Sequence, residues 1–214
     1  MQEIENKIQK ICNILQIPND DQLLNAYAQS YKRGLKLIIC AKVDDTYYKQ
    51  SLQQRQQMIG SPCQNINQLT KCLLYENRVA PKENRNIEFS RFYLVIYQYT
   101  RKFSEPKFSF NIKQLKNQNP EMQHLTKSNY KLSFAEEVDA QQLCSAEHNG
   151  MSPIGLTDMK IPVILDSNVK EEYIFVGGLD PLVKTRVSVK ELLKCFNSYV
   201  FEVSDELGKS ESAE

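Results

Sequence analysis

Glycine is scarce in this chain, and its placement limits where the backbone can turn sharply or approach another group closely. The sequence has 214 residues and only seven glycines. Four of the seven fall in two short stretches, residues 148–155 and 176–178. Because glycine has no Cβ, it allows turns and close approaches that other residues resist. Both stretches lie at the ends of predicted elements, where sites are usually built, so we expect them to form the walls of a pocket.

The composition is typical of a globular chain with one sizeable core. The hydrophobic fraction is 41% and the formal net charge is +1, so the charge balance implies no broad basic face of the kind that binds duplex nucleic acid. No apolar run approaches the roughly 20 residues of a membrane span, so we expect no membrane contact. The acidic residues Glu3 and Glu5 argue against a signal or transit peptide, and we expect a cytoplasmic protein.

Six cysteines are scattered through the chain without a CxxC pair. This spacing is typical of free thiols packed in a protein of a reducing compartment. We therefore expect no metal site, and nothing in the sequence points to a cofactor.

Apolar spacing predicts that the first residues are helical. One helix is expected over residues 4–15, ended by Pro18, and a second over residues 20–33, ended by Gly34. We assign residues 1–44 as a helical N-terminal extension. Its apolar face either packs on its own domain or binds a partner helix, and the first alternative is favoured.

Three capping-box patterns, at Ser51, Ser133 and Ser188, predict the helices of the remaining chain. The helices are expected over residues 51–60, 133–144 and 188–196. Runs rich in aliphatic and aromatic residues predict strands over residues 71–75, 92–99, 161–165, 173–176 and 199–203.

Strands outnumber helices after residue 70 and do not alternate with them. This order predicts an α+β fold with a mixed, barrel-like sheet flanked by helices. Residues 78–91 are expected to form an exposed loop, and residues 205–214 a flexible tail.

Four motifs in the second part of the chain resemble those of the YbaK/prolyl-tRNA-synthetase-associated editing domain. They are LTKCLL (69–74), GMSPIG (150–155), IPVILD (161–166) and VGG (176–178), the last of these ahead of VSV (187–189). The order is that of the family, without a large gap. The resemblance covers about residues 45–204, which we assign as the editing-like domain.

The resemblance implies a deacylase that hydrolyses the ester of a mischarged tRNA, of the Ala- or Cys-tRNA-Pro type. The partner is then the acceptor end of the tRNA. The family carries its functional lysine on a strand, which makes Lys71 the catalytic candidate and the source of a cation for the terminal phosphate or substrate. The implied substrate-binding residues are His148, Asn149, Gly150, Met151, Ser152, Pro153, Gly177, Gly178 and Lys184.

The chemistry suits these residues. An activated ester needs positioning, a placed water and donors for the oxyanion more than it needs a protein nucleophile. The loop at residues 150–153 combines glycine and proline and can present backbone N–H groups, with the absent Cβ leaving room for substrate.

Alternative roles stay open for individual residues. Without the resemblance, Lys71 would be an exposed strand lysine. His148 could bind the substrate amine or orient water, and equally could bond the backbone of its own loop. Ser152 as a nucleophile is disfavoured, because the chain has no GxSxG elbow and no evident third member of a triad.

Two hypotheses therefore stand. The first is an editing deacylase that acts in trans or docked on a synthetase, favoured by Lys71 and residues 150–153. The second is a catalytically degenerate copy that binds through its N-terminal helices in a larger assembly, such as a synthetase complex or a cytoskeletal or axonemal assembly. Asn149, where the family commonly has glycine, and the bulky residues 179–182 favour the second. We expect the enzyme.

Overall fold

The chain folds as a mixed α+β structure, as the sequence predicts. The structure is a computed structural model that describes residues 6, 7, 10 and 20–207. Its helices are Asp21–Lys32 (α1), Leu52–Ile59 (α2), Glu105–Leu115 (α3), Glu137–Cys144 (α4) and Val189–Cys195 (α5). Its strands are Ile39–Lys42 (β1), Thr70–Asn77 (β2), Phe92–Gln98 (β3), Arg101–Phe103 (β4), Leu132–Phe134 (β5), Val163–Asp166 (β6), Tyr173–Gly178 (β7), Asp180–Ser188 (β8), Ser198–Phe201 (β9) and Ser204–Glu206 (β10). The helix predicted over residues 4–15 falls almost wholly outside the described residues.

A five-stranded sheet in the order β5-β2-β3-β6-β9 forms the centre of the fold. Strand β3 pairs antiparallel with β2 and parallel with β6, and all its residues are buried because both its faces are covered. Leu94 and Ile96 point to the cluster that contains Val176. Tyr93 and Val95 point to the opposite cluster, which α3 closes.

A second, antiparallel sheet in the order β1-β8-β7 packs beside the first. Strand β7 runs alongside the start of β2, where Leu69 bridges Phe175 and the Thr70 hydroxyl donates to the Phe175 carbonyl at 2.7 Å. This contact places the double glycine at the end of β7 next to β2. Strand β1 lies in the segment predicted to be a helical extension, so residues 39–42 belong to this sheet and not to a helix.

The three predicted capping boxes have different outcomes. The box at Ser51 forms, since the Ser51 side chain and Gln54 bond reciprocally at the start of α2. The helix predicted from Ser133 is wrong at its start, because Ser133 pairs with Glu76 in β5 and the helix begins only at Glu137. The exposed edge of β2 binds this segment and overrides the local helical signal. Ser188 precedes α5 as predicted, but its side chain forms no capping bond.

Two further elements differ from the prediction. Strand β10 pairs with β4, so the chain is not loose at Asp205 and Glu206. Helix α3, which the sequence analysis missed, follows Ser104 with a proline in its first turn.

In the part of the chain that the structure describes, no helix is long and apolar enough to cross a membrane.

Helix α3 allows a test of the packing. Phe108 is fully buried, and its ring lies 5.2 Å from that of Tyr75 and 5.5 Å from that of Tyr93. Truncating it leaves a cavity between helix and sheet, so we expect Phe108→Ala to lower the free energy of unfolding by about 4 kcal/mol. Phe110 is 61% exposed on the same helix, and Phe110→Ala should change stability by less than about 0.5 kcal/mol. Denaturant unfolding measures both, and equal losses would contradict the described packing of α3.

Candidate functional site

A cavity of about 1280 Å³ opens beside the start of β2 and the end of β7. Six of the residues singled out from the sequence line it: Lys71, His148, Asn149, Met151, Gly177 and Lys184. Gly150, Ser152, Pro153 and Gly178 are buried and lie behind its wall. The structure therefore brings residues from distant parts of the chain to one cavity, with part of the predicted set supporting the wall from behind.

Lys71 lies half-buried in this cavity, near the start of β2. Its Nζ is 4.8 Å from the centre of the Tyr99 ring, which is a cation–π distance. Burial, together with the nearby Arg55 cation, lowers the pKa of Lys71 below its ordinary value. Within residues 20–207 no carboxylate forms an ion pair with this ammonium, so it remains available to an anionic ligand.

The loop at residues 148–151 lies directly on the end of β7. A Cβ on Gly150 would clash with the Leu179 carbonyl, and one on Gly177 would clash with the Gly150 carbonyl. The Leu179 amide donates to the Gly150 carbonyl at 2.9 Å. The missing Cβ of Gly150 therefore serves contact with the Leu179 backbone, which corrects the expectation that it leaves room for substrate.

Asn149 adopts the left-handed conformation, with φ of 67°. Asparagine tolerates this region better than most residues, so it provides here the turn for which the family commonly uses glycine. Its carbonyl accepts a hydrogen bond of 2.6 Å from the Tyr48 hydroxyl. The departure at Asn149 therefore leaves the turn intact.

Three backbone donors of this loop, the amides of His148, Asn149 and Met151, have no hydrogen-bond acceptor among residues 20–207, and all three residues line the cavity. The Gly150 amide donates to the Glu147 carbonyl at 2.9 Å. His148 and Asn149 are exposed, whereas Met151 is half-buried, so the Met151 amide is the one of the three best shielded from water. It is the candidate donor to a developing oxyanion.

Lys184 lies opposite Gly177 in the ladder between β7 and β8 and is 5% exposed. Its Nζ donates to the Tyr48 hydroxyl at 2.6 Å and to the Pro181 carbonyl at 2.8 Å. Burial lowers the pKa of Lys184 to about 7, and the Asp180 carboxylate opposes this shift only in part. Lys184 thus reaches the loop through Tyr48.

His148 and Ser152 have different surroundings. His148 is exposed at the rim of the cavity, with its Nδ1 atom 2.9 Å from a carboxylate oxygen of Glu137. The observed partner is therefore a carboxylate, and not the loop backbone. Ser152 is fully buried, does not line the cavity, and its Oγ has no hydrogen-bond partner within the described residues. With no base on its hydroxyl, it lacks what a serine nucleophile needs.

The sequence analysis missed an aromatic wall around Arg55. The guanidinium of Arg55 lies between 5.1 and 5.6 Å from the rings of Tyr47, Tyr48 and Tyr99. It also donates to the carbonyls of Tyr47, Tyr48 and Gln50. The only sign of this wall in the sequence is the pair of adjacent tyrosines, Tyr47 and Tyr48, ahead of the capping box at Ser51. The pair does not show which part of the fold the two rings face.

Between residues 20 and 207, no group of three or more His, Cys, Asp and Glu is placed to hold a metal ion.

Comparisons with known proteins show which solved structures have a similar fold. No family model matches the sequence, and no curated protein matches it. The structure is similar to that of a candidate trans-editing enzyme for prolyl tRNA synthetase, with a TM-score of 0.64 and 14% identity over 87% of this chain and 98% of that one. It is also similar to a hypothetical protein, with a TM-score of 0.58 and 14% identity over 85% and 99% of the two chains. A designed epitope scaffold is similar too, with a TM-score of 0.63 and 16% identity over 86% and 97%. At these identities the likeness shows the fold.

The buried amine of Lys184 predicts a pH dependence of stability. Its folded pKa of about 7 lies below the ordinary 10.5, so above pH 7 the unfolded state binds more protons and stability rises with pH. The rise is at most about 1.4 kcal/mol per pH unit. Denaturant unfolding should show wild type gaining stability relative to Lys184→Met from about pH 7 to about pH 8.5, and the titration of the cysteines cancels in this difference because both proteins contain them. A difference that is constant over this range would contradict the buried, desolvated amine.

Proposed function

We propose that this chain is an aminoacyl-tRNA editing deacylase of the YbaK/prolyl-tRNA-synthetase-associated family. It hydrolyses the ester that joins a wrong amino acid to the 3′ end of a tRNA, of the Ala- or Cys-tRNA-Pro type. The observation that carries the proposal is that Lys71 and the loop at residues 148–151 line one cavity. The likeness of the fold to a candidate trans-editing enzyme supports it.

The reaction needs no protein nucleophile. A water molecule adds to the ester carbonyl carbon, and the oxyanion that forms is stabilised by the Met151 amide and the Lys71 ammonium. The bond between the carbonyl carbon and the ribose oxygen then breaks. The ribose oxygen leaves as a hydroxyl, having taken the proton that the attacking water gives up. The wrong amino acid is released as a carboxylic acid, which loses its remaining proton to the solvent.

The rest of the cavity suits the end of an RNA strand. Tyr99, Phe103 and Phe134 lie along it and offer aromatic faces on which unpaired bases can stack. Lys102 is exposed in the same part and supplies positive charge for phosphates, whereas the Arg101 guanidinium there bonds Ser204 and lies 3.8 Å from the Asp166 carboxylate. The carboxylates of Glu137 and Glu147, which also line the cavity, suit the α-ammonium of an aminoacyl group.

Location and partner follow as further proposals. The described cysteines are free thiols, which suits the reducing cytoplasm. The protein acts there in trans or docked on a synthetase through its N-terminal part.

A non-catalytic role in a larger assembly is the second candidate. Tyr31, Leu37 and Leu193 are exposed apolar side chains, and Glu191 of α5 ties the segment of Leu37 to that helix by accepting from the Leu37 amide at 2.9 Å. They offer a partner surface. The sequence analysis counted the bulky residues 179–182 in favour of this role. They support it less than expected, because Leu179 is buried in the core and does not line the main cavity.

Deacylation of a panel of mischarged tRNAs tests the proposal. Wild type should cleave at least one member, and Lys71→Ala should slow that cleavage by about 100-fold, because a cation is lost next to the developing charge. Stability should hardly change, since the lysine contributes charge and little core area. Lys49→Ala is the matched control, because Lys49 is exposed outside the cavity and should leave the rate unchanged.

Two results would contradict this account. If wild type cleaves no member of the panel, the non-catalytic role replaces the enzyme. If wild type is active and Lys71→Ala is as fast, the catalytic role assigned to Lys71 is wrong.

The salt dependence of tRNA binding gives a separate check. With a net charge of +1, the protein should contact few phosphates, so binding should be weak. Contact with two or three phosphates of a single strand gives a slope of about −1.4 to −2.1 for log affinity against log salt concentration. Fluorescence titration at several salt concentrations measures the slope. A value steeper than about −5 would mean a basic surface that this account does not contain.

A further inference from the structure

One hydroxyl connects three distant segments of the chain at the cavity wall. The Lys184 ammonium on β8 donates to the Tyr48 hydroxyl at 2.6 Å, and that hydroxyl donates to the Asn149 carbonyl at 2.6 Å. Tyr48 lies shortly before α2, more than one hundred residues away from either partner in the sequence. We call this chain of bonds, Lys184 to Tyr48 to Asn149, the lysine–tyrosine relay.

The relay fixes one peptide group at both ends. The oxygen of the peptide between Asn149 and Gly150 accepts from Tyr48, and its N–H donates to the Glu147 carbonyl. This peptide follows a residue in the left-handed conformation, which is unfavourable unless the surroundings hold it. Loss of the Tyr48 bond would therefore free the turn to relax.

The orientation of the next peptide depends on that turn. The Gly150 carbonyl accepts from the Leu179 amide at 2.9 Å. In a trans peptide the N–H and C=O groups point in opposite directions, so the Met151 N–H points away from Leu179. Met151 lines the cavity and is half-buried, and its amide has no acceptor among residues 20–207.

We propose that Lys184 and Tyr48 are positioning residues, which hold the turn at Asn149 so that the Met151 amide faces the bound acyl group. The contact with an acyl group rests on the proposed deacylase function. The holding of the turn rests only on the hydrogen bonds of Lys184, Tyr48 and Asn149. It gives Lys184 a role through Tyr48 in place of the direct substrate contact that the sequence implies.

The burial of Lys184 supports this role. An amine that is 5% exposed and has no ion pair within the described chain is costly, and an apolar side chain of similar size would fill the space at lower cost. Packing alone therefore does not account for a lysine here. The Lys184 Nζ atom lies 5.0 Å from the centre of the Tyr47 ring and 4.6 Å from that of the Tyr48 ring. Its two acceptors, the Tyr48 hydroxyl and the Pro181 carbonyl, orient the ammonium toward Tyr48.

Hydrogen exchange of the backbone tests the holding of the turn without any substrate. The variants are Tyr48→Phe, Lys184→Met and the double variant, with Tyr47→Phe as the matched control. The Tyr47 ring also lies against Lys184, but its hydroxyl makes no hydrogen bond to the loop among the described residues. Exchange of the Gly150 and Leu179 amides, which form the hydrogen bonds of this turn, is measured together with the global free energy of unfolding.

Each single variant should speed exchange of the Gly150 and Leu179 amides by about tenfold, the factor that one lost hydrogen bond gives. The double variant should be no faster than either single variant, because the two residues act as one unit. Tyr47→Phe should leave this exchange unchanged. Unchanged exchange in Tyr48→Phe, or additive effects in the double variant, would overturn the relay. If Lys184→Met does not fold, the comparison of Tyr48→Phe with Tyr47→Phe decides.

Kinetics on a cleaved tRNA test the consequence for catalysis. Because the Met151 amide acts on the transition state, Tyr48→Phe should lower kcat by about tenfold and leave KM within about twofold. A change in KM alone would overturn the positioning role. A protein with the expected exchange but no deacylase activity would overturn the proposed function and the acyl contact, and would leave the relay established.

Discussion

The close contact between the backbone of residues 149–151 and the end of β7 is the constraint on which the cavity depends. Side chains on Gly150 or Gly177 would force the two segments apart, since each Cβ would meet carbonyl groups of the other segment. Strand β7 is held against the start of β2 by the bridge between Leu69 and Phe175. Through these two contacts the loop comes to share a cavity with Lys71, although nearly eighty residues separate them in sequence.

The residues of the cavity suit catalysis by substrate positioning and charge stabilisation better than catalysis by a protein nucleophile. Ser152 is buried behind the wall without a partner for its hydroxyl. Cys72 lines the cavity, but burial raises the pKa of its thiol and keeps it protonated near neutrality. Lys71, in contrast, offers a cation without a carboxylate partner in the described chain, and the loop offers an amide. This combination suits the hydrolysis of an ester that is already activated.

The sequence predicts those parts of the fold and of the site that depend on local pattern. Local patterns predict the apolar run of β3, the cap at Ser51 and the glycine-containing loop, because burial, capping and turning each depend on a few neighbouring residues. The helix predicted from Ser133 fails because the edge of β2, more than fifty residues away, binds that segment as a strand. Arg55 and Tyr48 were missed for the same reason, since their roles arise from contacts with residues distant in sequence.

The central claim is that Lys71 and the Met151 amide act on one aminoacyl ester. The most direct test is a crystal structure with an aminoacyl adenosine 5′-phosphate in which an amide replaces the cleavable ester. The account predicts the analogue in this cavity, with the acyl oxygen within about 3 Å of the Met151 amide and the Lys71 ammonium on the phosphate or the acyl oxygen. An analogue bound elsewhere, or bound here with its acyl group away from both Lys71 and Met151, would contradict the account.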